Sequence, residues 1–271
     1  MTTPLDQLFI ELKNQNRAAL IGYIPAGFPS KEKCFEVIKA MVAGGVDAIE
    51  IGFPYSDPVM DGPIIQAAAD ISLKGGTGAA DVFETLAYAT SLGVPAVVMT
   101  YWNPIERYGA ANFARELARN GGSGVITPDL TIEESEEWAR AALEYGINRI
   151  YVVAPSTNEA RLPQVTSQCS GFVYAASLMG VTGTRTSVSS GAEDLVARVR
   201  ETTSTPVSVG LGVSTRDQAA EVAKYADGVI VGSAFIRLVL ESTDFPESLT
   251  QVHHLAAELA LGVRRNERKN D

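Results

Sequence analysis

Short apolar runs, many of them rich in branched residues, recur along the chain between longer stretches in which apolar positions return every three or four residues. The short runs predict strands at Ala19 to Ile24, Ala48 to Ile51, Ala96 to Thr100, Gly124 to Thr127, Arg149 to Val153, Gly171 to Ala175, Val207 to Val209 and Gly228 to Val231. The longer ones predict helices over Lys31 to Ala43, Val82 to Leu92, Tyr108 to Asn120, Ile132 to Tyr145, Ala192 to Glu201 and Arg216 to Tyr225, several stopping at Gly or Asn. Further helices are expected before the first strand (Pro4 to Lys13), after the second (Pro63 to Lys74) and at the end of the chain (Leu249 to Leu261). This strict alternation predicts an α/β fold, a (β/α)8 TIM barrel forming one domain over residues 1–271. An open doubly wound sheet fits the same alternation, but eight strands favour closure.

Composition narrows the partners. The 271 residues carry a net charge of −10, which repels nucleic acid and anionic membrane surfaces. A small anionic substrate would therefore have to be held by local groups. No apolar run reaches the length of a membrane span, and the first residues lack a basic segment leading into an apolar one. Cys34 and Cys169 are far apart and outside any CxxC spacing, so neither a disulfide framework nor a metal knuckle is indicated, and a reducing cytoplasm is the simpler compartment.

The second predicted strand carries Glu50 and runs into a Gly/Pro-punctuated loop with Asp57 and Asp61. Alternation puts Ala48 and Glu50 on one face and Ile49 and Ile51 on the other. Pointing into a barrel, Glu50 would be partly dry and its pKa raised toward neutrality, where a carboxylic acid can deliver a proton. A strand-end Glu that simply reaches water is the competing reading. Asp57 and Asp61 fit turns equally well, since Ser-Asp-Pro and Asp-Gly-Pro are good turn sequences. Tyr174 shares the inward face of the sixth strand with Phe172, where core filling is an equal alternative.

Three glycine-bearing turns follow strands six to eight: Gly180-Val-Thr182-Gly183-Thr184, Gly210-Leu-Gly212-Val-Ser214 and Gly232-Ser233-Ala234. In barrels these are the places where backbone N–H groups and a helix N-terminus hold a phosphate. The first opens a Ser/Thr-rich stretch to Ser190 that would make a lid. The seventh-strand turn lacks the third Gly of a dinucleotide fingerprint, so NAD binding is rejected.

Other catalytic devices are missing from the pattern. Lys31, Lys33, Lys39, Lys74 and Lys224 fall on predicted helices rather than at strand ends, which disfavours an imine. His253 and His254 are the only histidines, both in the C-terminal helix, and no G-x-S-x-G elbow occurs. Acid/base work by carboxylates and a phenol remains.

The residues resemble the tryptophan synthase alpha subunit family. The likeness runs through Tyr23-Ile-Pro-Ala-Gly-Phe-Pro29, Glu50 to Pro63, Tyr101-Trp-Asn-Pro104, Thr127-Pro-Asp-Leu130, Gly180-Val-Thr-Gly183 and Val231-Gly-Ser233, and covers nearly the whole chain in order. It implies a lyase without a cofactor of its own or a metal, which cleaves indole-3-glycerol phosphate to indole and glyceraldehyde 3-phosphate. It further implies that Glu50 handles the protons at indole C3 and the glycerol hydroxyl, that Asp61 accepts the indole N–H, and that Tyr174 stands beside the acid. Tyr23 and Met99 would line the indole slot, with Tyr101 in the substrate-binding set. Thr182 would close the lid, and Gly183, Gly212, Gly232 and Ser233 would form the phosphate cradle. Asp57, Pro58, Asn103 and Pro104 would face the pyridoxal phosphate-dependent beta subunit of an alpha-beta-beta-alpha complex. At Tyr23 the chain departs from the Phe common in the family. A stand-alone indole-releasing lyase and a non-catalytic activating subunit are the alternatives; the three intact residues Glu50, Asp61 and Tyr174 speak against the latter.

Overall fold

The structure, a computed structural model, describes residues 2–176, 190–210 and 212–264. Eight parallel strands close into a barrel in sequence order: β1 (Ala19–Pro25), β2 (Ala48–Gly52), β3 (Ala96–Met99), β4 (Gly124–Thr127), β5 (Asn148–Val153), β6 (Val173–Ala176), β7 (Val207–Gly210) and β8 (Gly228–Val231). Closure is made by β8 on β1, where Ala19 pairs Gly228 and Ile21 pairs Ile230. The helices in chain order are α1 (Pro4–Asn14), α2 (Lys31–Ala43), α3 (Pro63–Lys74), α4 (Ala79–Ser91), α5 (Trp102–Tyr108), α6 (Ala110–Arg119), α7 (Glu136–Tyr145), α8 (Leu162–Thr166), α9 (Ser190–Arg200), α10 (Arg216–Ala223), α11 (Ser233–Leu240) and α12 (Phe245–Gly262).

Period-two alternation sorts the strand residues into two cores. Ile49 and Ile51 join the outer core under the helices, whereas Ala48 joins an inner one with Ala19, Ile21, Val97, Ile126, Ile150, Phe172 and Ile230. Leu5, Phe9 and Leu12 of α1 belong to that inner core, so α1 stoppers the N-terminal end of the barrel with hydrocarbon. A capping box fixes the stopper: the Asp6 amide donates to Thr3 Oγ1 and the Thr3 amide donates to Asp6 Oδ2 at 2.8 Å. Asn148 Nδ2 on β5 donates to Thr3 Oγ1 at 2.9 Å, tying the stopper to the sheet.

Several boundaries differ from those expected. The stretch Tyr108 to Asn120 is two helices, α5 and α6, because Gly109 takes φ +87° between them. Residues 132–135 form a turn in which Ser135 Oγ donates to the Ile132 carbonyl, and α7 begins only at Glu136. β6 starts at Val173, after Gly171 at φ +76°, and β3 stops before Thr100 because Tyr101 already caps α5. Lys224 caps α10 from just outside it. The short helices α8 and α11 contain too few turns to display a period in sequence. Among the described residues no helix is long and apolar enough to cross a membrane.

Candidate active site

Glu50 sits in the middle of β2 with Tyr23 of β1 and Val97 of β3 as its register partners. It is 1% exposed, which rules out the water-reaching alternative. Its Oε2 is buried and has no hydrogen-bond partner among the described residues. An ionised carboxylate in that position would lack both solvent and a donor, so the neutral form is favoured. Burial first, and the charge of Asp61 second, push its pKa from 4.5 to about 8.

Asp61 comes from the loop between β2 and α3. Its amide donates to the Pro58 carbonyl at 3.0 Å and its own carbonyl accepts from Gln66 Nε2 at 2.8 Å, an arrangement that makes the segment a tight turn. The turn and the chemical reading are thus compatible, because the backbone supplies the turn and leaves the carboxyl group available. Burial raises its pKa from 3.8 to about 6, against a hydrogen bond with Tyr101 that lowers it. Tyr101 is 5% exposed, stacks on Tyr55 at 5.1 Å between ring centroids, and accepts the Met60 amide at its Oη at 2.9 Å. This phenol pins the β2–α3 loop across the mouth of the barrel.

Tyr174 lies inward on β6, its ring 6.4 Å from that of Phe172. Burial and the charges of Glu50 and then Asp61 push its hydroxyl well above the usual range. Tyr23 feels burial first, then Asp61, Glu50, Tyr174 and Tyr101. Glu50, Tyr23 and Tyr174 on the strands and Asp61 and Tyr101 on the loops above them are thus close enough to act on one another's charge. Met99, at the end of β3, is partly buried against the inner core on the same side. Two glycines make room for the chamber: Gly52, to which the sequence reading gave no role, and Gly210, which it read only as part of a phosphate-holding turn. A Cβ on Gly52 would lie 2.3 Å from Tyr23 Oη, and one on Gly210 would lie 2.5 Å from Tyr174 Oη. The available signal was alternation: Gly52 is the next inward position after Glu50, and Gly210 the next after Ser208.

At the proposed phosphate end, Gly212 has φ +71° in the β7–α10 loop. Gly232 is the N-cap of α11 and Ser233 its first residue, so the first amides of that helix are unspent. Gly212, Ser233 and Ala234 border a cleft of about 1040 Å³ between α10, α11 and α12, and neither Glu50 nor Asp61 lines it. Thr182 and Gly183 lie outside the described residues. The Asp57 and Asn103 side chains are exposed and Pro58 and Pro104 are half-buried, Asp57 and Pro58 on the β2–α3 loop and Asn103 and Pro104 in the first turn of α5. Val59 and Met60 beside them are 80% and 52% exposed. Among the described residues no group of three His, Cys, Asp or Glu side chains could hold a metal ion, and His253 and His254 stand in α12.

Comparison with known proteins agrees with this geometry. Residues 9–263 match the family model of the tryptophan synthase alpha chain. The tryptophan synthase alpha chain of Streptomyces coelicolor is 55% identical over 261 residues, covering 96% of each chain; that of Thermobifida fusca is 54% identical over 265 residues, covering 97% of this chain and 98% of the other. A chain in a structure of Mycobacterium tuberculosis tryptophan synthase superimposes with a TM-score of 0.90 at 46% identity, covering 98% of this chain and 100% of that one. The closed barrel, the buried acid on its second strand and these likenesses agree: the chain belongs to the tryptophan synthase alpha chain family.

Proposed function

We propose that Glu50, Asp61 and Tyr174 carry the family's reaction in this chain, with residues 1–271 acting as one barrel domain. The chain is a carbon–carbon lyase that cleaves indole-3-glycerol phosphate to indole and glyceraldehyde 3-phosphate, in the last stage of tryptophan biosynthesis, and works with the beta subunit. The observation that carries the residue assignment is Glu50: a carboxyl group 1% exposed, with an unpartnered Oε2, at the chemical end of a barrel.

Two carboxyl groups with pKa values pushed to different levels divide the work of acid and base. Near pH 7 Glu50 is protonated and Asp61 ionised. Glu50 gives its proton to indole C3, which leaves a positive charge on the ring nitrogen, and the Asp61 carboxylate accepts that N–H and offsets the charge. The Glu50 carboxylate then takes the proton of the hydroxyl next to the ring. That oxygen forms the aldehyde C=O, the carbon–carbon bond breaks, and its electron pair neutralises the ring nitrogen as indole leaves. The proton is back on Glu50 at the end. Tyr174 hydrogen-bonds in the same chamber, Met99 and Tyr23 wall the indole, and Tyr101 holds the Asp61 loop. Gly183, Gly212, Gly232 and Ser233 hold the phosphate, and Thr182 helps to close the site over the acid. Asp57, Pro58, Asn103 and Pro104 face the pyridoxal phosphate-dependent beta subunit, which takes up the indole. This chain needs no cofactor of its own for the steps above, and the cytoplasm is the compartment that suits its two unpaired thiols.

Indole release from indole-3-glycerol phosphate, measured with and without a beta subunit, tests the reading directly; no indole in either case overturns it. Because the active form needs Asp61 ionised and Glu50 protonated, kcat/KM is expected to rise with pH through about 6 and fall through about 8. A profile flat from pH 5 to 9 contradicts the assignment. Gly212→Leu is expected to raise KM by roughly tenfold or more while kcat changes far less, since the side chain blocks the backbone approach that a phosphate requires. Initial rates over a range of substrate concentrations check this, and an unchanged KM displaces the cradle.

A further inference from the structure

The Tyr23 ring reaches from one functional region to the other. A Cβ on Gly232 would meet its Cδ1 at 2.9 Å and its Cβ at 3.2 Å, while one on Gly52 would meet its Oη at 2.3 Å. The body of the ring therefore lies on the N-cap of α11, where the proposed phosphate cradle begins, and its hydroxyl lies at β2, one inward position closer to the mouth than Glu50. Glycine at both places lets the phenol span this gap. Tyr23 is 6% exposed, and of the neighbouring charges those of Asp61 and then Glu50 act most strongly on its hydroxyl.

A hydroxyl between the proposed anion cradle and a buried carboxylic acid faces whatever part of the substrate joins its phosphate to its reacting carbon. On the functional reading above, on which this step rests, that part is a chain bearing two hydroxyls. We infer that Tyr23 Oη hydrogen-bonds a hydroxyl of that chain, making Tyr23 a specificity residue for hydroxylated chains rather than only a wall of the indole slot. A site with such a donor discriminates against a ligand lacking the partner, because that ligand forfeits the bond.

The test compares Tyr23→Phe with the unaltered chain, each assembled with the beta subunit, using two ligands. One is indole-3-glycerol phosphate; the other is indolylpropyl phosphate, which has the same ring and phosphate but no chain hydroxyl. The variant is expected to lose about tenfold in kcat/KM for the substrate, while the inhibition constant of the hydroxyl-free analogue stays within about twofold or tightens. Equal losses for both ligands would make Tyr23 a packing residue and overturn the inference, as would no loss for the substrate. Gly52→Ala, which crowds the same hydroxyl, is expected to reproduce the selective loss; a loss common to both ligands counts against it. Thermal melts confirm that each variant is folded. Turnover by Glu50→Gln separates the two failures: an active Glu50→Gln brings down the mechanism, whereas an inactive one beside an indifferent Tyr23→Phe brings down this inference alone.

Discussion

Glu50→Gln is expected to lower indole formation by at least ~10³-fold, within the range that a positioned acid/base contributes. Gln keeps the shape and polarity of the side chain but can neither deliver a proton to carbon nor collect one from a hydroxyl. Substrate affinity should change little, because the phosphate cradle and the indole wall are separate from this group. The same substitution has an opposite effect on stability, and its pH dependence follows from linkage. The Glu50 pKa is raised on folding from 4.5 to about 8, so the folded chain holds a proton that the unfolded chain has released. Between these values each unit of pH costs the folded state about 1.4 kcal/mol, an upper bound for a group that can relax. Below pH 4.5 the cost vanishes and above about 8 it stops growing. Glu50→Gln abolishes the dependence. Its stability relative to the parent is expected to climb as pH rises from about 4.5 to about 8, as measured by denaturant midpoints at several pH values. A stability difference independent of pH would mean that Glu50 is already ionised, and retained turnover would remove it from the mechanism.

The fold and the site were legible to different depths. Strand positions followed from β-rich runs between helical periods, and the inward direction of Glu50 followed from Ile49 and Ile51, which both lie in the outer core. Helix ends were less legible where a single backbone angle decides them, as at Gly109. A sequence states that a glycine is present but not which sign of φ it adopts. Asp61 could not be separated from a turn former by sequence because it is one: the turn uses its main chain and the site uses its carboxyl. The role of Gly52 and Gly210 was hidden for another reason. Their importance lies in the phenols that lean over them from neighbouring strands, a contact that exists only once the barrel is closed.

Asp61→Asn is expected to reduce kcat by about 10²-fold or more, comparable to removing a preorganised group that faces developing charge. The amide preserves the turn, since the Asp61 N–H bond to Pro58 and the bond from Gln66 to the Asp61 carbonyl are both made by main-chain atoms. What it loses is the negative charge opposite the ring nitrogen, and in a partly buried position that charge is worth more than it would be in bulk water. The coupling with Glu50 supplies a second readout. Burial is the main cause of the raised Glu50 pKa, and the Asp61 charge adds to it. Neutralising position 61 therefore lowers the Glu50 pKa, so the fall in rate on the alkaline side should begin at a lower pH than in the parent. The rise on the acid side, which reports ionisation of Asp61, should disappear. A pH profile of kcat/KM for Asp61→Asn measures both limbs at once. A slow variant whose limbs stay in place would show that Asp61 acts by shape, whereas an unchanged rate would reduce the residue to the turn that its backbone already makes.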